Sequence, residues 1–364
     1  MELQRVLSKE SFSKDEIKFL LQLENRDEIE ELGKKAYQIK KEFVGNVVYY
    51  RGLIEFSNIC TKDCYYCGIR KGNAKVNRYQ VTYDEILEAA KFAWENKYGS
   101  IVLQSGERSD PKFIDLLCSI VSDIKKLSNY ELGITLSCGE QSLENYQRLF
   151  DAGAHRYLLR IETSNPVLYK KLHPNNADHS FDTRIECIKY LRKAGFQVGS
   201  GVMAGLPFQS IDDLVEDILF FKEYNVDMLG IGPYIEHSDT PLYEYSNQLL
   251  KKEDRFYLCL KMIAILRIML KDINIASTTA MQALHLMGRE KGLRFGANII
   301  MPNITPLQYK GDYLLYEDKP CIDEDSSQCK SCLEIRIKMT GDEIGYGLWG
   351  DSKHFVSENK GDAK

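Results

Sequence analysis

From about Val47 onward, short apolar strand-like runs alternate with longer amphipathic ones, and the alternation repeats eight times. The strand-like runs cover residues 48–56, 100–104, 132–136, 156–161, 196–203, 228–231, 273–277 and 293–301. Short apolar runs separated by helical spacing specify parallel strands joined by crossover helices. The helices carry their own start signals. Thr82-Tyr-Asp-Glu85 is a capping box ahead of Ile86, Leu87 and Ala90. Asp110-Pro111 supplies a cap and a first-turn proline, and Ser210 can cap the helix of Leu214, Ile218 and Phe221. An open doubly wound sheet of six strands would leave two units over. Eight units favour an α/β fold closed as a complete (β/α)8 TIM-type barrel. No GxGxxG follows the first strand, so nothing points to a dinucleotide fold.

The 364 residues suit one such barrel with extensions. Residues 1–45 have helical apolar spacing and read as an N-terminal helical extension. Residues 46–310 hold the barrel, and 311–364 form a C-terminal, cysteine-bearing extension. Apolar residues at 44% and charged residues at 28% are ordinary for a globular chain. A net charge of −5 disfavours a nucleic-acid surface. No run of eighteen apolar residues and no apolar signal core occurs, so the expectation is a cytoplasmic protein without a membrane partner.

Without a secretion signal, the ten cysteines point to metal or redox use rather than disulfides. Three lie in Cys60-Thr-Lys-Asp-Cys64-Tyr-Tyr-Cys67, directly after the first strand. Thiolates are soft ligands suited to iron–sulfur clusters. Three cysteines on one loop can hold three irons of a 4Fe-4S cubane and leave the fourth iron open. That open iron can take the amino and carboxylate groups of S-adenosylmethionine (SAM) for one-electron cleavage. The competing reading is a zinc loop, but zinc wants four protein ligands and no close fourth is present. A second group, Cys321-x7-Cys329-x2-Cys332, fits an accessory cluster, a zinc site short of one ligand, or idle thiols. Cys118, Cys187 and Cys259 sit in helical patterns and read as small core residues.

Chemistry in such a barrel lies at the C-terminal ends of the strands. SAM needs a carboxylate, a guanidinium and close backbone approach. Gly106 permits approach, and Gln104 or Glu107 can accept from the ammonium. Glu162 can take the ammonium or the ribose hydroxyls, or form a salt bridge with Arg160. Arg184 can pair with the SAM carboxylate, or be a solvated helix arginine. Thr278 and Thr279 can bind an anion or cap a helix. His155, His173 and His285 lack ligand spacing and read as surface or core residues.

Several runs together resemble a known family. They are Ile54-Glu-Phe-Ser-Asn58, Tyr65-Tyr-Cys-Gly-Ile-Arg70, Val102-Leu-Gln-Ser-Gly-Glu107, Tyr157-Leu-Leu-Arg-Ile-Glu-Thr163, Gly205-Leu-Pro207, Asp227-Met-Leu-Gly-Ile-Gly-Pro233, Thr278-Thr-Ala-Met281 and Gly296-Ala-Asn-Ile-Ile-Met-Pro-Asn303. The chain resembles the HydE family of FeFe-hydrogenase maturases, in the biotin synthase-like branch of radical SAM enzymes, from about residue 10 to 350. The resemblance implies a closed internal cavity. It implies SAM contacts at Gln104, Ser137, Glu162 and Arg184, with Tyr66 near the adenine. It implies substrate contacts at Thr135, Arg160, Met228, Thr278, Thr279, Met301 and Tyr309. Cys321, Cys329 and Cys332 match an accessory cluster, 2Fe-2S or 4Fe-4S, that only some members carry. Some members have histidine where this chain has Ile161. Cys138 stands where an aliphatic residue is expected, and packing is its simplest role. The implied reaction is reductive cleavage of SAM to a 5′-deoxyadenosyl radical. The implied substrate is the sulfur of a cysteine-bound Fe(CO)2(CN) precursor, supplied by partner maturases, with a separate electron donor. Alternatives are a mutase or sulfur-inserting enzyme on a small amino acid or thiol, and an iron–sulfur carrier.

Overall fold

The computed structural model describes residues 2–361; Met1 and residues 362–364, at the tips of the two expected extensions, lie outside the described residues. Eight parallel strands form the barrel. They are β1 (Val47–Ser57), β2 (Ser100–Ser105), β3 (Gly133–Ser137), β4 (Arg156–Leu158), β5 (Gln197–Ser200), β6 (Met228–Pro233), β7 (Asn274–Ser277) and β8 (Ile299–Ile300). Each pairs with the next, and β8 pairs back to β1 through Tyr49↔Ile299 and Tyr50↔Ile300, which closes the sheet.

Side chains on a strand alternate faces, and that alternation sorts the sequence here. Ile54, Phe56, Ile101, Leu103, Ile134 and Leu136 are buried in the core shared with the helices. Their neighbours Leu53, Glu55, Val102, Gln104 and Thr135 line the interior of the barrel. The helices begin where their caps dictate. Thr82 and Glu85 form both arms of a capping box, Asp110 caps the helix Pro111–Leu127, and Ser210 forms a box with Asp213.

Three strands are clearly shorter than the apolar runs that contain them. The fourth run, 156–161, yields only Arg156–Leu158, ahead of Glu162 at φ +65°. The eighth run, 293–301, yields only Ile299–Ile300, because Leu293 belongs to the helix Gly288–Arg294 and Gly296 turns the chain at φ +113°. The fifth run breaks after Ser200 and resumes at Met203–Ala204, which pairs with β6. At the break, a Cβ on Gly201 would lie 2.2 Å from the Gly230 carbonyl oxygen, so the two backbones touch there. Cys187 and Cys259 are buried as expected, whereas Cys118 is only half-buried on its helix.

The extensions close the two ends. The N-terminal helix Arg26–Phe43 packs along Lys252–Met269. Glu343–Ile344 adds a parallel strand beside the start of β1. Residues 347–352 then plug the barrel floor. The Gly350 carbonyl accepts from Arg51 Nη2 (3.1 Å) and Asn274 Nδ2 (2.9 Å), and the Trp349 carbonyl accepts from Arg156 Nη1 (3.1 Å). No helix among the described residues is long and apolar enough to cross a membrane.

Candidate active site

Cys60, Cys64 and Cys67 follow β1 on a loop pinned from several sides. The Thr61 N–H donates to the Glu107 carbonyl (2.9 Å), Tyr65 N–H to Leu172, Gly68 N–H to Leu315, and Asp63 N–H to His179 Nε2 (2.8 Å). Cys60 Sγ accepts from the Glu107 amide at 3.3 Å. A Cβ on Gly106 would lie 2.4 Å from the Ile59 carbonyl oxygen and 2.8 Å from Cys60 Cβ. Gly106 thus serves the cysteine loop, by letting β2 and the loop meet. Burial raises all three thiol pKa values: Cys67 is pushed up to about 12, and Cys64 lies well above its usual value. A desolvated thiolate calls for a bound cation. Among the described residues, neither this trio nor the C-terminal one gathers its three sulfurs within 4.8 Å of one another. A single tetrahedral zinc with sulfur at about 2.3 Å holds its sulfurs about 3.8 Å apart. The wider spread and the soft donor set fit a multi-iron cluster.

Below the loop runs an internal cavity of about 260 Å³. Its wall includes Cys67 and Tyr66 at one end and Arg51 and Asn274 at the floor. The segment that follows β4 keeps the alternation of faces: Arg160 and Glu162 line the wall while Ile161, between them, is fully buried behind it, and Glu162 forms an isolated bridge with Val202. Arg160 grips Glu162 with two bonds, Nε to Oε1 at 2.8 Å and Nη2 to Oε2 at 2.9 Å. It also donates to the carbonyls of Gly230 (2.6 Å) and Val202 (3.0 Å). The salt bridge weighed from the sequence is therefore present, and it faces the cavity. Tyr66 OH lies 3.3 Å from His173 Nε2, and Gln104 Nε2 donates to Tyr313 OH at 3.2 Å. Thr135, Met228, Thr278, Thr279 and Met301 all line the same cavity. Thr278 is the N-cap residue of the helix Thr279–Leu284, but its hydroxyl donates to the Ile231 carbonyl (3.2 Å) instead of capping.

Three expected contacts stand elsewhere. Ser137 ends β3 beside Gln104 but is not part of the cavity wall. Arg184 is buried, not solvated, and pairs with Glu107 (3.2 Å) and Glu140 (2.7 Å). Lys62 pairs with the same two carboxylates, at 3.1 and 2.7 Å, so Glu107 is already engaged by two cations. This network braces the outside of the cysteine loop. Tyr309 stacks on Tyr79 with ring centres 4.9 Å apart, and its hydroxyl donates to Glu85 at 3.1 Å, away from the cavity. Cys138 is fully buried and donates weakly to the Leu103 carbonyl (3.7 Å), which is a packing role.

The cavity has wall residues that the sequence did not single out. Leu315, Tyr316, Lys319 and Pro320, from the C-terminal extension, lie over it as a roof, beside Cys321, which the sequence offered as a cluster ligand. Lys319 Nζ is 2.6 and 2.8 Å from the two oxygens of Glu55, which also accepts from Asn303 Nδ2 at 3.0 Å. Arg289 is buried and donates to Thr279 Oγ1 (3.3 Å), and its Nη2 lies 3.9 Å from Cys321 Sγ. Cys321 is hydrogen-bonded to Cys329, which lowers Cys329 to about 7. Cys332 lies exposed one turn further along the helix Ser326–Lys338. In total the wall carries four cations, Arg51, Arg160, Arg289 and Lys319, against two carboxylates, Glu55 and Glu162.

Residues 54–221 match the Radical SAM superfamily. The FeFe hydrogenase maturase subunit HydE of Thermotoga maritima is 45% identical over 348 residues, covering 95% of this chain and 96% of that protein. The chain belongs to the HydE family. It is a radical SAM enzyme, and that superfamily implies a 4Fe-4S cluster and SAM. A 3-methylornithine synthase of Methanosarcina acetivorans is more distant, at 26% identity over 315 residues and 85% of each chain. Among solved structures, methylornithine synthase superposes with a TM-score of 0.79 at 24% identity over 95% of this chain and 97% of that one. The maturase HydG of Carboxydothermus hydrogenoformans superposes with a TM-score of 0.80 at 21% identity, over 98% of this chain and 82% of that one. Both superpositions speak to the barrel alone. HydE-family membership accords with the cysteine loop and cavity described above, and the donor chemistry of that loop fits the cluster.

Proposed function

We propose that this chain matures FeFe hydrogenase by acting on the sulfur of an anionic, cysteine-bound Fe(CO)2(CN) precursor, as a step toward the H-cluster. The observation that carries the reading is the charge of the cavity: four cationic side chains against two carboxylates. That excess suits an anionic metal complex. A zwitterionic amino acid, as a mutase would bind, calls for balanced charges.

Cys60, Cys64 and Cys67 would hold the 4Fe-4S cluster. When bound, the cluster supplies one electron to SAM, releasing methionine and a 5′-deoxyadenosyl radical. Tyr66, Gln104 and Glu162 face the cavity beside Cys67 and would orient SAM. Ser137 and Arg184 would contribute at its edge, Arg184 by way of the Lys62, Glu107 and Glu140 network. Arg160, Thr278 and Thr279 would hold anionic parts of the substrate, with Thr135, Met228 and Met301 shaping its seat. The roof over residues 315–321 keeps bulk water from the reacting groups. Cys321, Cys329 and Cys332 would ligate an accessory cluster beside that roof. Partner maturases would deliver the precursor and accept the product, and a cytoplasmic reductant would feed the electron.

The test is anaerobic reconstitution followed by dithionite and SAM, with 5′-deoxyadenosine quantified in the wild type and in Cys64→Ala. Production that depends on Cys64, and that gives a sulfur-linked adenosyl adduct when the cysteine-bound iron complex is added, supports the reading. Cys64-dependent 5′-deoxyadenosine without any adduct overturns the substrate. No 5′-deoxyadenosine from a cluster-loaded chain overturns the enzymatic proposal and favours a cluster carrier.

A further inference from the structure

The end of the barrel opposite the cysteine loop carries a second cluster of ligand-type side chains. Asp227 directly precedes β6, and the C-terminal helix Lys353–Gly361 presents His354 and Glu358 one turn apart, on one face. One ligand atom from each of Asp227, His354 and Glu358 lies within 4.8 Å of the other two.

The arrangement around these three is what an ion site needs. The Asp227 side chain is completely buried. Its Oδ2 accepts from Arg192 Nη1 (2.7 Å) and from the Val198 amide (2.6 Å). Its Oδ1 is buried with no hydrogen-bond partner. A buried carboxylate oxygen left without a partner calls for a missing ligand. His354 Nδ1 lies 3.3 Å from Asp272 Oδ1. That contact fixes the ring with Nδ1–H toward a carboxylate, the orientation seen behind metal-bound imidazoles. Nε2 faces the cluster, 3.5 Å from Glu358 Oε1, and its N–H donates to Asn225 Oδ1 at 2.7 Å, while Asn225 Nδ2 donates to Glu358 Oε1 at 2.7 Å; a bound ion would take the place of that Nε2 proton. With the Nε2 proton displaced, a neutral imidazole and two carboxylates carry two negative charges, which one divalent ion offsets. Nitrogen and oxygen donors without thiolate suit zinc and its first-row neighbours.

We propose that Asp227, His354 and Glu358 bind one divalent transition-metal ion, which clips the C-terminal helix to the floor of the barrel. The helix follows directly on residues 347–352, the plug held by Arg51, Arg156 and Asn274. Fixing the helix fixes the plug and so the closed end of the cavity. This site is independent of both cysteine groups and of the reaction proposed above.

The probe is Zn2+ alone. The parent chain carries the Cys60 cluster, with Cys321, Cys329 and Cys332 changed to Ala so that free thiols do not capture zinc. Folding is checked by circular dichroism. The expected result is one zinc per chain retained through gel filtration, with amide exchange across 353–361 slowed by zinc. Glu358→Gln, at a partly exposed position, and His354→Gln should each weaken binding at least tenfold. Weakening in either variant supports the site. Retention unchanged in both, or no zinc retained by the folded parent, overturns it and leaves a protonated-histidine ion-pair cluster.

Discussion

Lys319→Met tests whether the roof of the cavity is held by charge. Lys319 and Glu55 are 264 residues apart in sequence, and their side chains are 6% and 2% exposed. The substitution keeps most of the side chain's volume and removes the ammonium. Glu55 is then a buried carboxylate whose remaining side-chain partner is the Asn303 amide, at 3.0 Å. Removing one partner of a buried ion pair typically costs roughly 3–5 kcal/mol. The surviving Asn303 bond sets the expectation at the lower end, about 3 kcal/mol. At one decade per 1.4 kcal/mol that is roughly a 100-fold change in an equilibrium. The cost falls on the roof first, because opening residues 313–321 rehydrates Glu55 without disturbing the strand core. Hydrogen exchange should therefore show the roof peptide opening roughly 100-fold more often, with peptides from β2 and β3 unchanged. Glu55→Gln combined with Lys319→Met removes both charges of the pair, and most of the protection should return. The reasoning fails if the roof exchanges as in the wild type, or if the double variant is no better protected than Lys319→Met alone.

Gly106→Ala would force a Cβ to 2.4 Å from the Ile59 carbonyl oxygen, so the cysteine loop must shift. Iron bound per chain after reconstitution should fall by about half or more while the circular dichroism stays unchanged, because the strain falls on the loop and not on the core. Burial pushes the Asp217 carboxyl up to about 7, against an unfolded value near 3.8. The folded chain holds that proton where the unfolded chain has released it, so its stabilising contribution is lost as pH rises through 7. Asp217→Asn removes the slope, and its stability relative to the wild type should rise by roughly 2–3 kcal/mol between pH 5 and pH 8, read from urea midpoints; equal slopes would refute the assignment.

Strand parity made much of the barrel and its lining readable. An apolar run with a polar residue every second position says which residues face inward, and Gln104, Thr135, Arg160 and Glu162 were reachable that way. The cysteine loop was legible because three soft ligands at short spacing have few other uses. What stayed hidden depends on pairing across long separations. Arg51 reads as one charge in an apolar strand until the Gly350 carbonyl and the Met228 sulfur are seen beside it. Arg289 and Lys319 sit in polar segments with no local sign that they turn inward. The surroundings of Arg184 were hidden in the same way. The first turn of its helix shows an ordinary surface pattern, and only the fold brings Glu107 and Glu140 around it. Tyr309 was placed by resemblance alone, and Glu85, on the helix Tyr83–Glu95, takes its hydroxyl away from the cavity.

Glu162 is where fold and site conflict. Its backbone has φ +65°, a region that costs a residue with a Cβ about 1–2 kcal/mol. The conformation persists because the surroundings fix it. The Glu162 amide donates to the Gly201 carbonyl at 3.0 Å while its carboxylate turns back to Arg160, two residues earlier in the segment after β4. If strain is stored there, it can be measured apart from the ion pair. Arg160→Met/Glu162→Ala and Arg160→Met/Glu162→Gly both lack the pair and differ only in the Cβ. Glycine ordinarily loses about 0.5–1 kcal/mol to alanine through chain entropy. Relief at positive φ should reverse that order here, leaving the glycine variant more stable by roughly 0.5–1 kcal/mol in urea unfolding. An alanine variant that is equally or more stable would mean that the backbone at Glu162 is relaxed. The carboxylate would then hold its place through the Arg160 pair alone.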